Sequence, residues 1–240
     1  MNVYLIVGLR HDIDNVYGLR KGLPKVISIE EEYGVRSTFF VRVDIIRSFK
    51  DRTLLKEIKK RGWEIGLHLI NTDGSLKKYL PKDELNYLKK LLDIEVHGVT
   101  PCGKTIGFKG EVTWKIMDSL NLKYMEGYGK PDFEVRTFVM PTHLSFDIYY
   151  VRKFGEKEGY KKFKKDLWLK LEKDGFATVL VHPEWFVRSV GGSGLKKLAL
   201  TLLKKQMMNK VYNQFLNEFK MKITFMRYID LYHHLNCVAI

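Results

Sequence analysis

The chain has 240 residues, of which 45% are hydrophobic and 13% aromatic, and its formal net charge is +14. This composition excludes a disordered protein and suits a single globular domain over residues 1–240. The positive charge favours anionic partners such as nucleic acid, but most lysines fall in helix-like stretches, where solvated helix faces explain them better.

The two cysteines and the hydropathy pattern indicate the cellular compartment of the protein. Cys102 and Cys237 form no Cys-x-x-Cys pair, which fits a reducing compartment. The residues after Met1 do not resemble a signal peptide, and no apolar run approaches the roughly 18 residues of a membrane helix. We therefore expect a cytoplasmic protein without a transmembrane segment.

The first predicted element is a buried strand that ends in a cluster of charges. Its apolar residues stop at Arg10, His11, Asp12 and Asp14. On an extended backbone the side chains of Asp12 and Asp14 point the same way. Two adjacent carboxylates are costly unless a cation lies beside them, so this strand end is a candidate metal site. The alternative is a turn with solvated charges.

The rest of the chain alternates helices with strands. A helix is predicted over 17–33, with a start or kink at Pro24 and an end at Gly34. Further helices are predicted over 53–61, 81–92, 111–120, 155–173, 195–219 and from 228, and strands over 35–43, 63–69, 95–99, 122–125, 137–140, 177–181 and 222–226. The Gly-Gly-Ser-Gly run at 191–194 is predicted to be a mobile loop. This alternation favours an α/β fold with a parallel sheet or barrel.

Histidines recur where these predicted strands end. His68 and His182 each end a strand, and His11, His97 and His143 lie at or just past strand ends. Parallel strands deliver such residues to one face, where functional sites are found. One such histidine alone would more often be structural. Together with two close carboxylates, they favour an Asp/His metal site.

The order of these motifs resembles the polysaccharide deacetylase family, also called the NodB-homology or carbohydrate esterase 4 family. Residues 10–14 are similar to its Arg-His-Asp-Val-Asp variant, and residues 31–39 follow the family's next pattern. Residues 62–68, Gly-Trp-Glu-Ile-Gly-Leu-His, match its second motif, and residues 180–182, Leu-Val-His, match its last. Residues 98–103 are the candidate for its third loop. The resemblance implies a distorted (β/α) barrel with about seven strands.

The resemblance also implies an activity and roles for four residues. Asp12 would be the catalytic base and His182 the acid, while Asp14 and His68 would be metal ligands. The implied protein is a metal-dependent hydrolase that removes an acyl group, in particular N-acetyl, from a sugar or sugar-derived amide. The implied cofactor is a divalent metal, with zinc as the expected ion.

Two further residues are candidates for contact with a carbohydrate substrate. Arg10 precedes the two aspartates, and Trp185 follows His182, where its ring would stack on a sugar or pack in the core. No nucleic acid is expected as a partner, because the basic residues are spread along the chain and form no recognised motif.

The sequence departs from the family at the third metal ligand. The family places a second histidine four residues after the first, but this chain has Thr72 there. His143 is the preferred substitute, since it follows Pro141 at a strand end. His97, Asn71 and Asp73 are the alternatives, and oxygen ligands would favour harder metals.

Two other departures concern the substrate and the acid. The arginine of the third motif has no clear match, and Pro183 replaces the aspartate that usually follows the last histidine. Thr72 and the missing arginine support a second hypothesis, a non-catalytic carbohydrate-binding relative that has lost the metal. A nucleic-acid binder, based on charge alone, ranks third.

Overall fold

The computed structural model describes residues 5–142, 144–188, 195 and 207–238. Within these ranges the strands are β1 (Ile6–Ile13), β2 (Thr38–Val41), β3 (Glu64–Leu69), β4 (Gly98–Pro101), β5 (Tyr124–Glu126), β6 (Phe138–Met140), β7 (Leu144–Ser145), β8 (Phe176–Val181) and β9 (Thr224–Met226). The α-helices of the same ranges are α1 (Leu23–Glu32), α2 (Phe49–Lys60), α3 (Pro81–Leu92), α4 (Glu111–Ser119), α5 (Glu156–Asp174), α6 (Met207–Phe219) and α7 (Tyr228–Val238). None of these described helices combines the length and apolar character needed to cross a lipid bilayer.

The chain forms two compact units, and the first comprises residues 1–37 and 143–226. Its parallel strands are arranged in the order β9, β1, β8, β7. All eight residues of β1 are buried, as expected for a parallel strand covered on both faces. Ile6 pairs with Phe176 and His11 with Val181, so β8 ends beside His11, two residues before the end of β1.

The second unit comprises residues 38–142 and 227–240. Strands β2 to β6 follow one another in chain order, and each runs parallel to the next. The start of α7 is tied to this sheet, because the Tyr228 N–H donates to Thr38 Oγ1 at 2.8 Å and the Ile229 N–H donates to Glu64 at 3.0 Å. Glu64 is fully buried, and burial raises the pKa of its carboxyl.

A π-helical segment, Gly18–Gly22, directly precedes α1, whose second residue is Pro24. This irregular start agrees with the predicted start or kink at Pro24. Gly22 packs against the carbonyl oxygen of Pro183, where an added Cβ would clash with backbone. Glycine is therefore needed at position 22 for the turn after His182 to approach this helix.

Several element boundaries differ from the sequence prediction. Helix α2 begins at Phe49 rather than 53, because Ser48 caps it and Asp51 completes a capping box. Strand β2 ends at Val41, and Val43–Ile45 form a short 3₁₀ turn. The predicted helix over 195–219 is seen from Met207 to Phe219, and the predicted loop at 191–194 lies outside the described residues.

Candidate active-site residues

The end of β1 carries an ion pair next to two carboxylates. Side chains alternate along a strand, so Arg10 and Asp12 lie on one face, and Asp14 follows directly after the strand. Arg10 Nη2 donates to Asp12 Oδ2 at 2.8 Å, and each residue is 5% exposed. In the part of the chain that the structure describes, the other oxygen, Asp12 Oδ1, is buried without a hydrogen-bond partner. Arg10 therefore orients this carboxylate and leaves one oxygen available.

His182 leaves β8 next to this pair of aspartates. Its Nε2 lies 3.8 Å from Asp14 Oδ2. Its Nδ1 lies 2.9 Å from Asp147 Oδ2, and its backbone N–H donates to the same oxygen. Because Asp147 holds Nδ1, the ring is fixed with Nε2 directed towards Asp14. The first unit thus brings together four predicted site residues: Arg10, Asp12, Asp14 and His182.

These carboxylates favour the charged form of His182. Burial by itself lowers the pKa of the imidazole, but the carboxylates of Asp147, Asp12 and Asp14 outweigh it and raise the pKa to about 9. Without a bound cation, His182 therefore carries a proton on both nitrogens at neutral pH. This is the state that a general acid requires.

Asp147 is a functional candidate that the sequence analysis missed. It lies in the π-helical segment Phe146–Arg152 and is fully buried. In the sequence, Asp147 is the one acid within the apolar and aromatic run 146–151, and an acid in such a run is rarely buried without a partner. It precedes His182 by 35 residues in the sequence.

His11 belongs to the core rather than to the face that carries the aspartates. Its Nε2 lies 2.8 Å from Glu30 Oε1, and Tyr212 donates its hydroxyl to the same oxygen at 2.8 Å. Ser37 donates to Glu30 Oε2 at 2.8 Å. All four residues are completely buried. The expectation that His11 shares the face of the other histidines is therefore wrong, because it alternates with Arg10 and Asp12 along β1.

Trp185 lies just past His182 in a short 3₁₀ helix, Pro183–Phe186. The residue is partly exposed, whereas its neighbour Glu184 is buried and accepts a hydrogen bond from Asn15. Glu184 thus serves the packing of the turn. Contact of Trp185 and Arg10 with substrate stays a prediction.

The second unit holds the other predicted ligand, His68, near the end of β3. His68 is 2% exposed and in register with Thr100 of β4. Cys102 follows β4, and its backbone N–H donates to the Leu69 carbonyl at 2.8 Å. Its thiol is hydrogen-bonded to the His68 side chain. No functional role was predicted for Cys102 from the sequence.

The surroundings of Cys102 favour its thiolate. Burial by itself raises the pKa of the thiol, but the hydrogen bond and charge of His68, the Lys104 backbone and Arg42 outweigh it and leave the pKa below its ordinary value. Arg42 Nη1 lies 3.4 Å from Cys102 Sγ. Imidazole and thiolate are both ligands that zinc prefers.

Three of the four candidates for the third metal ligand lie within the described residues. Asn71 uses its side-chain amide on the backbone of residues 76 and 79, and the loop residue Asp73 accepts from the Ser75 N–H. His97 precedes β4, at the opposite end of that strand from Thr100, the residue in register with His68. His143 lies outside the described residues.

The fold is shared with proteins of known structure. A candidate polysaccharide deacetylase from Mycobacterium smegmatis matches with a TM-score of 0.72 at 14% identity, over 100% of this chain and 93% of that one. Puue allantoinase matches with a TM-score of 0.69 at 11% identity, over 98% and 92% of the two chains. A family 4 acetyl xylan esterase from Clostridium thermocellum, solved with a cobalt ion, matches at 0.57 and 12%, over 95% and 90%.

These comparisons establish the fold. No family model matches the sequence, and no curated protein does. The predicted resemblance to polysaccharide deacetylases is confirmed at the level of structure, and so is the predicted fold class, an α/β fold of the distorted (β/α) barrel type. The described residues form nine strands, against about seven predicted, and several of the nine are only two or three residues long.

Proposed function

We propose that the protein is a metal-dependent hydrolase that removes an acyl group, in particular N-acetyl, from a sugar or a sugar-derived amide. The observation that carries the proposal is the acid–base arrangement of the first unit. Asp12 has one oxygen without a hydrogen-bond partner among the described residues, and Asp147 holds the Nδ1 of His182 at 2.9 Å. A carboxylate that can take a proton and an imidazole that can give one are what hydrolysis of an amide needs.

In this proposal Asp12 is the base and His182 the acid. Asp12 Oδ1 takes the proton of the attacking water, while Arg10 keeps the carboxylate oriented through Oδ2. His182 Nε2–H then protonates the nitrogen of the leaving amine. Asp147 stabilises the imidazolium before this transfer and holds the ring in place throughout.

The proposed cofactor is a divalent metal, with zinc as the expected ion. Asp14 and His68 are its proposed ligands, as the resemblance implies, and we add Cys102 because its acidified thiol contacts His68. A carboxylate, an imidazole and a thiolate are a donor set that suits zinc. When bound, such an ion polarises the substrate carbonyl and acidifies water. His143 remains an alternative third ligand.

The remaining parts of the proposal also follow from the resemblance. The proposed substrate is a small carbohydrate that contacts Arg10 and Trp185. The proposed location is the cytoplasm, and no nucleic-acid partner is expected. The allantoinase with the same fold extends the range of substrates to be tested to other non-peptide C–N bonds.

The test combines metal analysis with an activity assay. Protein purified without chelators is analysed for metal and incubated with N-acetylated sugars, alongside Asp14→Ala and His68→Ala. We expect about one divalent ion per chain, which both variants lose together with amide hydrolysis. If neither substitution changes metal content or hydrolysis, the proposal fails.

A second candidate function is a non-catalytic carbohydrate-binding protein. It is favoured by Thr72, which occupies the position of the family's second histidine and donates its hydroxyl to the Gly107 carbonyl. This candidate predicts saccharide binding that is the same with and without a chelator. Tight binding of one divalent ion together with turnover of an acetylated sugar would exclude it.

A further inference from the structure

Helix α5 and the π-helical segment before it concentrate positive charge on the first unit. Residues 148–165 hold seven basic and two acidic side chains, a net charge of +5 out of +14 for the whole chain. Glu158 pairs with Lys162 at 3.5 Å and Glu156 with Lys210 at 2.7 Å, so both acids are already paired. The other basic side chains of this stretch are therefore available to an external anion. The function proposed above uses none of them.

Most of this charge forms a stripe along the exposed side of α5. The stripe consists of five exposed residues at four-residue spacing: Lys157, Lys161, Lys165, Leu169 and Lys173. Side chains four residues apart on a helix are neighbours, and like charges at this spacing destabilise the helix. Helix α4, by contrast, places Glu111 and Lys115 at this spacing and pairs them. An anionic surface lying along this basic stripe would relieve the repulsion between its lysines.

An aromatic cluster is joined to the start of α5 by cation–π contacts. Its most exposed members are Tyr149, at 53%, and Ile148, at 39%. The Lys153 ammonium lies 4.9 Å from the ring centroid of Tyr149 and 5.2 Å from that of Phe154. The ammonium of Lys162, which belongs to α5, lies 5.0 Å from the Phe154 centroid. The cluster therefore places exposed apolar groups in direct contact with cations.

This combination favours the surface of an anionic lipid bilayer over a nucleic acid. Single-stranded nucleic acids bind aromatic side chains by stacking bases on the ring faces. Here ammonium groups already lie over the rings of Tyr149 and Phe154. At a bilayer surface, tyrosine rings lie at the level of the headgroups and lysines attract anionic lipids. Ile148 and Leu169 add exposed aliphatic side chains, which enter the boundary of the acyl chains.

We propose that the basic stripe and the aromatic cluster together bind the surface of a membrane that contains anionic lipids. Both lie in the first unit. Tyr150 donates its hydroxyl to Asp166 at 2.8 Å, which fixes the π-helical segment against α5. A surface that is already formed loses little conformational entropy on binding. The inference does not rest on the proposed function, because membrane binding is measured without turnover.

The experiment measures binding of the full chain to sedimented vesicles of phosphatidylcholine with about 30 mol% phosphatidylglycerol, at about 0.1 M salt. The triple variant Lys157→Gln, Lys161→Gln and Lys165→Gln should bind about 100-fold more weakly, since each lysine near an anionic surface contributes about a fivefold factor. Replacing the same three lysines by arginine keeps the charge and should keep the affinity. Glutamine and arginine both retain the helix propensity of lysine, so α5 should form in both variants.

A second triple variant controls for net charge. Lys56→Gln, Lys60→Gln and Lys90→Gln remove the same charge from exposed positions of α2 and α3, and this variant should bind vesicles like the wild type. For the aromatic cluster, Tyr149→Ala should weaken binding by about fivefold. Tyr87→Ala is its matched control, because Tyr87 is 50% exposed and lies on α3.

Any one of three results would overturn the inference. The first is an equal loss of binding in the two glutamine triples, which would mean attraction by net charge alone. The second is equal affinity for vesicles of pure phosphatidylcholine. The third is tighter binding of single-stranded oligothymidine than of the anionic vesicles at the same salt, which would make a nucleic acid the partner. Vesicle binding without hydrolysis of any acetylated sugar would reject the proposed function and leave this inference standing.

Discussion

The two units differ in the chemistry at the carboxyl ends of their strands. In the first unit three carboxylates surround one histidine and raise the pKa of His182 to about 9. In the second unit an imidazole and a guanidinium surround one thiol and lower the pKa of Cys102. The first environment therefore favours the protonated imidazole of His182, and the second favours the deprotonated thiolate of Cys102.

This difference suggests a division of tasks. A protonated histidine next to a carboxylate suits proton transfer to and from a substrate. A thiolate next to an imidazole suits the binding of a borderline-soft cation. If the division is correct, substitutions of Asp12, Asp147 and His182 in the first unit change rates and proton affinities, whereas substitutions of Cys102 and His68 in the second unit change metal affinity. Asp14 is the exception in the first unit, because it is a proposed metal ligand.

The largest effect is expected for Asp12→Asn, which removes the proposed base. The amide keeps the size of the side chain but cannot accept the proton of water, so hydrolysis of an N-acetylated sugar should fall by about 10²–10⁴-fold. Metal content, measured by mass spectrometry, should stay at the wild-type level. Glu95→Gln, at a side chain that is 88% exposed, is the control and should retain full activity. Wild-type rates in Asp12→Asn would remove Asp12 from the catalytic residues.

The second effect concerns metal affinity in the second unit. Cys102→Ser replaces a thiolate by a neutral hydroxyl, and we expect zinc affinity to fall by more than about 100-fold, because even the partners of metal ligands contribute about 10–100-fold. Competition with a chromophoric chelator measures this change. Cys237→Ser is the control, since Cys237 is exposed. Equal zinc affinity in the two serine variants would exclude Cys102 as a ligand.

In both units, the sequence predicts the helices and strands better than the long-range side-chain contacts. Helix α3 was predicted with both ends correct, because Pro81 starts it and its apolar residues keep helical spacing. The positions of Asp12, His68 and His182 followed from buried strands that end in polar residues. These signals are local, so a single sequence carries them.

The contacts that were missed are long-range or depend on strand alternation. Asp147 lies in a π-helical segment without a capping signal, and its partner is 35 residues away. Cys102 is a lone cysteine whose environment depends on Arg42 and His68 in neighbouring strand ends. The position of His11 could have been predicted, because adjacent residues of a strand point to opposite faces.

The third effect is a shift of proton affinity in the first unit. Asp147→Asn removes the strongest of the carboxylates that favour imidazolium, so the pKa of His182 should fall from about 9 by more than about one unit. The raised pKa stabilises the folded state fully below about pH 6.5, and this stabilisation is lost as the pH rises through 9. The variant should therefore lose stability below pH 9. NMR titration of His182 in metal-free protein measures the shift, and the exposed substitution Asp132→Asn serves as the control. An unchanged titration would mean that Asp147 does not set the proton affinity.

The smallest effect is expected in the core behind β1. Tyr212→Phe removes the hydroxyl that donates to Glu30, next to His11, and we expect the free energy of unfolding to fall by about 1–2 kcal/mol. Because His11 faces away from Asp12, hydrolysis and metal content should not change. Urea denaturation measures the stability, and Tyr149→Phe, at a half-exposed side chain, is the matched control. A loss of activity without a loss of stability would show that this buried network takes part in the proton chemistry of the first unit. The separation between core and site residues along β1 would then be wrong.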